Sequence, residues 1–182
     1  MNPPYASNAV SSPQAVSQIT SSKTTSYVLR ALLSGLLLPL GFAPFHLPGL
    51  AILSLAFLFL QLVQTTPKKA CVIGFAFGLG VFGLGTSWVY ASIHAYGHLN
   101  IVLSILITFI FVAFFSLYTA LFALVFSKIN QKMPTYVTPF LFSSLWLLSE
   151  YCRSIFFTGF PWLLLGTGQI DSPLQHLLPI IG

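Results

Sequence analysis

Glu150 and Arg153 are the two residues whose types and spacing could most readily do chemistry. Both lie in a long apolar run, and the chain has only two acidic residues in all. A carboxylate in such a run is unfavourable unless it is paired or functional, and a spacing of three places both side chains on one helix face. One interpretation is an ion pair that merely anchors the helix end. We favour the other, a polar contact near a lipid headgroup or a neighbouring domain.

Two further patterns suggest catalysis or metal binding, but each has a simpler interpretation. Cys152 is two residues from Glu150 and does not share its helix face. A buried or interfacial cysteine is therefore favoured over a thiol nucleophile. His94 and His98 have the spacing of a helical metal pair, yet Gly97 lies between them and no third ligand is near in sequence. We predict interfacial histidines and no metal site.

Residues 78–83 match the dinucleotide-binding pattern GxGxxG, but their context does not fit. That motif follows a strand and precedes an acidic residue by about 20 positions, whereas the next acidic residue here is Glu150. Small residues four apart, such as Gly74 and Gly78, instead allow membrane helices to approach closely. We predict helix packing at these glycines and no cofactor.

The composition indicates a membrane protein. Charged residues make up 5% of the chain and hydrophobic residues 56%, whereas a soluble domain is normally about 25% charged. The net charge of +5 does not indicate a nucleic-acid partner, because the basic residues lie singly or in pairs at the ends of apolar runs. Two cysteines are too few for a disulfide framework.

The predicted fold is all-α: a polytopic transmembrane bundle of five helices plus the start of a sixth. Residues 1–26 are polar and predicted to form a disordered cytoplasmic tail. Residues 27–182 form the transmembrane domain, with helices over residues 27–43, 48–63, 71–93, 101–126 and 136–151. The first two form a hairpin, because a single helix over residues 27–63 would extend about 55 Å and the hydrocarbon core is about 30 Å thick.

The basic residues predict the orientation of this bundle. Cytoplasmic loops carry the excess of Lys and Arg. With a cytoplasmic N-terminus, only Arg153 lies outside and the remaining basic residues lie inside. Those inside are Lys23, Arg30, Lys68, Lys69, Lys128 and Lys132.

Residues 154–172 are predicted to form a loop along the outer face. They are rich in aromatic residues, which favour the membrane interface, and in glycine. Ser172 and Pro173 then have the types expected at the cap and first position of a helix. The residues from Pro173 to Gly182 are too few to cross a bilayer, so we expect this helix to be truncated.

Several motifs in the apolar domain occur at a specific spacing. They are Trp146–Arg153, Thr158–Trp162 and Gln169–Leu174, with Gly74–Ile93 in the third predicted helix, Ser116–Ala123 in the fourth and Gly41–Phe45 in the first turn. In these motifs, residues 27–182 resemble the membrane domain of the bacterial apolipoprotein N-acyltransferase family.

The resemblance implies a multi-pass enzyme of the bacterial inner membrane. The family transfers an acyl chain from a phospholipid to the α-amine of the diacylglyceryl-cysteine of an apolipoprotein, by way of a cysteine thioester. Its catalytic Glu, Lys and Cys belong to a nitrilase-like domain, which we expect beyond Gly182. We therefore assign no catalytic residue to this chain and expect it to be inactive alone.

The expected partners are the phospholipid donor, the diacylated apolipoprotein acceptor and the bilayer, with no nucleic acid. Candidate residues facing lipid or substrate are Trp88, Tyr90, Glu150, Arg153, Gly159, Phe160, Pro161 and Trp162. The alternative is a small non-catalytic transporter subunit or a scaffold. Transporters usually carry charges at mid-membrane positions. The third and fourth predicted helices have none, which counts against a transporter but leaves the scaffold open.

Overall fold

The computed structural model describes residues 13–156, 159–170 and 172–177. Within these ranges every regular element is helical and no strand occurs, which confirms the predicted all-α class. The described α-helices are α1 Pro13–Leu37, α2 Pro48–Leu62, α3 Pro67–Gly85, α4 Trp88–Ala91, α5 Ile101–Asn130 and α6 Thr138–Ile155. Short 3-10 or π turns occur at Leu38–Gly41, Ser92–Tyr96, Thr135–Val137, Thr167–Gln169 and Pro173–Leu177.

α3 and α5 are the two described helices that are long and apolar enough to cross a bilayer. α5 has 30 residues, or about 45 Å of helix against a hydrocarbon core of about 30 Å. Two shorter helical stretches are also apolar: Thr25–Gly41, which comprises the second half of α1 with the 3-10 turn that follows it, and Pro48–Leu62, which is α2. Large apolar side chains on α5, including Val102 and Phe109, are more than half exposed. Lipid or another protein segment would have to cover such a surface.

Glycines allow α3 to pack closely between α1 and α5. A Cβ atom at Gly74 would collide with the α5 backbone at Thr119, and one at Gly80 would collide with the α1 backbone at Leu32. The Thr119 hydroxyl uses the close approach to donate a hydrogen bond to the Gly74 carbonyl at 2.9 Å. The small residues of this segment therefore serve helix packing, as predicted.

Aromatic side chains attach α6 to the rest of the bundle. Phe142 packs edge-on against Phe59 of α2 and Phe126 of α5, with ring centroids 5.3 and 5.4 Å apart. One turn further on, Trp146 contacts Phe122 of α5 edge-on at 5.2 Å. Such pairs stabilise a contact beyond the area that they bury.

Hydrogen bonds fix the end of α5 beside the turn between α2 and α3. The Ser127 hydroxyl donates to the Thr65 carbonyl at 2.5 Å, and the Asn130 amide donates to the Val63 carbonyl at 3.1 Å. These contacts explain why α5 continues to Asn130, past the predicted end at residue 126. They also bring two basic pairs to the same end of the bundle: Lys68 and Lys69 in the first turn of α3, and Lys128 and Lys132 at the C-terminal end of α5.

The predicted third helix, residues 71–93, is divided in the structure. α3 ends at Gly85, and α4 begins at Trp88. The buried Thr86 side chain donates to the Phe82 carbonyl at 2.6 Å, and glycine at positions 83 and 85 weakens the helix at this point. The break turns Trp88 towards the segment that follows α6.

The ends of the chain also differ from the predicted boundaries. Residues 13–26 are helical and belong to α1, whereas a disordered tail was predicted for residues 1–26; residues 1–12 lie outside the described part. α6 continues to Ile155, into the predicted outer loop. The predicted sixth helix is described only as the 3-10 turn Pro173–Leu177. Asp171 and residues 178–182 lie outside the described residues.

Candidate functional site

The described segment that follows α6, residues 159–170, is called here the aromatic loop. Arg153 on the last turn of α6 attaches its first half. The guanidinium donates hydrogen bonds to the carbonyl oxygens of Phe160, at 3.0 Å, and Trp162, with a longer contact of 3.5 Å to that of Leu163. The Arg153 carbonyl in turn accepts from the Phe160 amide at 2.9 Å. Its side chain is 5% exposed, so these contacts replace the water that a buried cation loses.

Glu150 attaches the second half of the aromatic loop. Its Oε1 atom accepts hydrogen bonds from the Trp146 indole at 3.0 Å and from the Leu165 backbone amide at 2.9 Å. The carboxylate is buried beside the small space that Arg153 also lines. The Arg153 guanidinium therefore binds carbonyl groups of the loop, and the Glu150 carboxylate binds a backbone amide group of the loop.

The two charges attract each other, but their hydrogen bonds go to the loop. Within the described residues, no hydrogen bond joins the Glu150 carboxylate to the Arg153 guanidinium. The direct pair that their spacing allowed is therefore not formed. The reason is that both side chains bind backbone groups of the aromatic loop, which lies across this end of α6. The Phe82 ring lies 5.4 Å from the guanidinium carbon and adds a cation–π contact.

Backbone conformation in the aromatic loop depends on one glycine. Gly159 has φ +78, and a Cβ atom there would collide with the Ser154 carbonyl. Leu163 also has a positive φ of 56, which is unfavourable for a residue with a Cβ. Its side chain is 8% exposed and reaches over Gly85. The burial of this side chain and the nearby Arg153 contacts offset the backbone strain.

A row of aromatic rings connects the loop to α4 and α5. Phe160 lies 4.6 Å from Phe115 and 5.3 Å from Phe111, measured between ring centroids. Trp162 lies 5.5 Å from Trp88, and its indole donates to the Gly85 carbonyl at 3.1 Å. Both tryptophans are 46% exposed, so the row ends in an aromatic surface that is open to the surroundings.

This open end borders a cavity of about 630 Å³. The cavity lies between the α1–α2 turn, the junction of α3 and α4, and the aromatic loop. Phe45, Leu84, Trp88, Pro161 and Trp162 are among its lining residues. A volume of this size with mainly apolar walls is typical of sites for small apolar ligands.

The structure brings most of the predicted site residues together. Trp88, Pro161 and Trp162 line the cavity. Gly159 and Phe160 belong to the same loop but are not among the lining residues. Arg153 binds the loop at Phe160 and Trp162, and Glu150 binds it at Leu165. Tyr90 is not among the cavity-lining residues; it stacks on His94 with ring centroids 5.6 Å apart. The Nδ1 atom of that histidine lies 2.9 Å from the Leu99 carbonyl. Phe157 and Thr158, which belong to the loop motif, lie outside the described residues.

Sequence reasoning missed three contributors to the site. Trp146 had a usable signal, because an indole donor four residues before a buried acid lies on the same helix face. The backbone amide of Leu165 had none, since every residue carries one. The α1–α2 turn also lines the cavity, and the Phe42 ring lies close enough to contact a Cβ atom added at Gly168.

These features define a class: an all-helical chain with bilayer-length helices and an aromatic loop bound to one helix end by two buried charges. The chain belongs to the apolipoprotein N-acyltransferase family, since residues 34–182 match the family model described as Apolipoprotein N-acyltransferase N-terminal domain.

Three relatives, each named Apolipoprotein N-acyltransferase, illustrate the similarity. The protein from Coxiella burnetii is 44% identical over 153 residues, which cover 84% of this chain and 32% of the relative. Those from Azotobacter vinelandii and Pseudomonas aeruginosa are 41% and 42% identical over 155 residues, covering 85% of this chain and 30% of each relative. The chain therefore spans about a third of the length of these relatives.

Proposed function

We propose that this chain is the lipid-presenting membrane domain of an apolipoprotein N-acyltransferase. The reaction is transfer of an acyl chain from a phospholipid to the N-terminal amine of a diacylated apolipoprotein in the bacterial inner membrane. Family membership and the printed names of the relatives support this reaction. The observation that carries the lipid-presenting role is the aromatic loop, which Glu150 and Arg153 hold against an apolar cavity.

The proposed topology has five membrane crossings and a cytoplasmic N-terminus. The lengths of α3 and α5 support two of the crossings. The orientation is supported by the contacts of Thr65 with Ser127 and of Val63 with Asn130, since they gather basic residues at one end of the bundle. The aromatic loop lies beside Gly85, at the other end of α3. Under the positive-inside rule, that end faces the outside.

In the proposed arrangement, residues 1–182 bind lipid, and catalytic residues outside them carry out the acyl transfer. Acyl transfer through a thioester needs a thiolate nucleophile with a nearby base. Cys71 and Cys152 are free thiols in the described structure, and we assign a catalytic role to neither. The loop and the cavity would hold an acyl chain near the outer surface, for a catalytic Glu, Lys and Cys expected beyond Gly182. Transfer from phospholipid to a diacylated lipopeptide by residues 1–182 alone would refute this arrangement.

The test of the lipid-presenting role uses Trp162→Ala in the complete gene product that contains this chain. Loss of the indole removes the Gly85 hydrogen bond and one wall of the cavity. We expect KM for phospholipid to rise at least tenfold in a vesicle assay with a diacylated lipopeptide acceptor. The matched control is Phe140→Ala, which removes an aromatic residue that is 75% exposed and far from the loop. Equal kinetics for both variants would refute the role.

A further inference from the structure

A second cavity lies at the basic end of the bundle and is called here the basal groove. It has a volume of about 990 Å³ and runs between α1 and α2 down to the turn between α2 and α3. Its apolar walls include Leu33, Phe57 and Leu60, which are 52, 43 and 70% exposed. Arg30 and Lys69 line it as well. The groove therefore combines apolar walls with two exposed basic side chains.

The two basic side chains have no acidic partner among the described residues. Glu150, the single acid in that part of the chain, binds the aromatic loop at the other end of the bundle. The Lys69 ammonium instead lies 5.9 Å from the centroid of the Tyr27 ring. Two cations with no counter-charge beside an apolar groove match a ligand with one anionic end and an apolar remainder.

An unsatisfied acceptor lies in the wall of the same groove. The Gln61 side-chain amide donates to the Phe57 carbonyl at 3.3 Å and to the Ser34 hydroxyl at 3.5 Å. Its Oε1 atom is buried and has no hydrogen-bond partner. A buried acceptor without a donor is unfavourable. A rotation of the Gln61 side chain towards the groove would let a ligand with a hydroxyl donor close to its anionic group satisfy it.

From these observations we propose that the basal groove binds an anionic phospholipid of the cytoplasmic leaflet, of the phosphatidylglycerol type. The phosphate binds Arg30 and Lys69, a headgroup or glycerol hydroxyl donates to Gln61, and one acyl chain covers Leu33 and Phe57. This lipid is a bound structural partner and not the acyl donor, because the aromatic loop is at the opposite end. The choice of leaflet rests on the proposed topology, but lipid binding in the groove does not rest on the acyltransferase function, and either one can fail alone.

The first test compares two double variants of the complete gene product in nanodiscs that contain equal amounts of phosphatidylglycerol and phosphatidylcholine. Arg30→Gln with Lys69→Gln neutralises the groove. Lys128→Gln with Lys132→Gln removes the same charge from the same end of the bundle, outside the groove. Native mass spectrometry gives the ratio of the two lipids retained on the protein.

The groove variant is expected to lower this ratio about a hundredfold, since it loses two charged hydrogen bonds to the lipid phosphate that each contribute about tenfold, whereas Lys128 and Lys132 lie outside the groove. The control is expected to stay within a few-fold of the unaltered protein. An equal loss in both variants would reduce the effect to general surface charge, and no loss in either would show that Arg30 and Lys69 do not select an anionic lipid. Both outcomes overturn the proposal.

The second test locates the lipid without changing any charge. Phosphatidylglycerol with a photoreactive acyl chain is expected to label α1 and α2 at the groove, and Leu60→Trp, which fills the groove, is expected to abolish that labelling. Labelling confined to other helices would contradict the proposal. So would a crosslink showing that another segment of the protein occupies the groove.

Discussion

Substitution of Arg153 by methionine tests whether the buried charges hold the aromatic loop. Methionine keeps much of the side-chain volume but removes the donors to the carbonyl groups of Phe160 and Trp162. Each hydrogen bond to a charged group contributes about 1.5–3 kcal/mol, and loss of one buried charge leaves Glu150 uncompensated at about 3–5 kcal/mol. Because these two figures describe overlapping effects, we expect the loop to lose about 3–5 kcal/mol of local stability.

Hydrogen exchange measures this loss at individual amides. The Leu165 amide, which donates to Glu150, and the Phe160 amide, which donates to the Arg153 carbonyl, should exchange at least a hundredfold faster. The internal reference is the Leu103 amide at the start of α5, which donates to the Asn100 side-chain oxygen at 2.8 Å. Its exchange rate should not change.

Two further variants separate charge from geometry. Arg153→Lys keeps the charge but loses the planar fork, so its effect should be smaller than that of Arg153→Met. Adding Glu150→Gln to Arg153→Met removes the uncompensated carboxylate and should recover part of the loss. If exchange at Leu165 and Phe160 stayed within threefold of the unaltered protein in Arg153→Met, the reasoning about the charged pair would be refuted.

Two other substitutions test the backbone positions that shape the bundle and the loop. Gly159→Ala should destabilise the loop by at least about 1–2 kcal/mol, because alanine is unfavourable at positive φ and its Cβ would meet the Ser154 carbonyl. Hydrogen exchange at the Phe160 amide measures this loss. The control is Gly166→Ala, because a Cβ atom at that position lies in open space. Gly74→Val should lower the midpoint of denaturant unfolding because it forces α3 away from Thr119. The control is Gly83→Ala, which lies in open space within α3 and should leave the midpoint unchanged or raise it slightly, since alanine favours a helix over glycine. A midpoint that did not fall in Gly74→Val would contradict close α3–α5 packing.

The all-α fold could be predicted because it follows from composition, although α3 begins at Pro67 and not at residue 71 as predicted. Pro48 and Pro67 each occupy the first position of the helix where they lie, as their missing amide hydrogen favours. The break after Gly85 was missed because its sequence signal is only Thr86 and Ser87, and small hydroxyl residues also occur within continuous membrane helices. The end of α5 at Asn130 depends on a hydrogen bond to a carbonyl 67 positions away in sequence, which no local pattern contains.

The candidate site was predictable in its residues but not in its contacts. Glu150 and Arg153 stood out as charges in an apolar run, and the aromatic segment after α6 stood out by composition. Their actual partners are backbone carbonyl and amide groups of the aromatic loop. Such partners depend on the path of the chain across the end of α6, which is fixed by the positive φ at Gly159 and Leu163. Side-chain spacing alone suggested an ion pair instead.

Labelling from the two sides of the membrane tests the central claim, that the aromatic loop and the basic turns lie at opposite membrane faces. Single cysteines replace Gly166 in the loop and Gln131 after α5, both exposed, in a protein whose Cys71 and Cys152 are changed to serine. A membrane-impermeant thiol reagent applied outside the inner membrane should label Gly166→Cys in intact cells and label Gln131→Cys only after the membrane is opened. Labelling of Gln131→Cys in intact cells, or protection of Gly166→Cys, would contradict the proposed outer position of the loop.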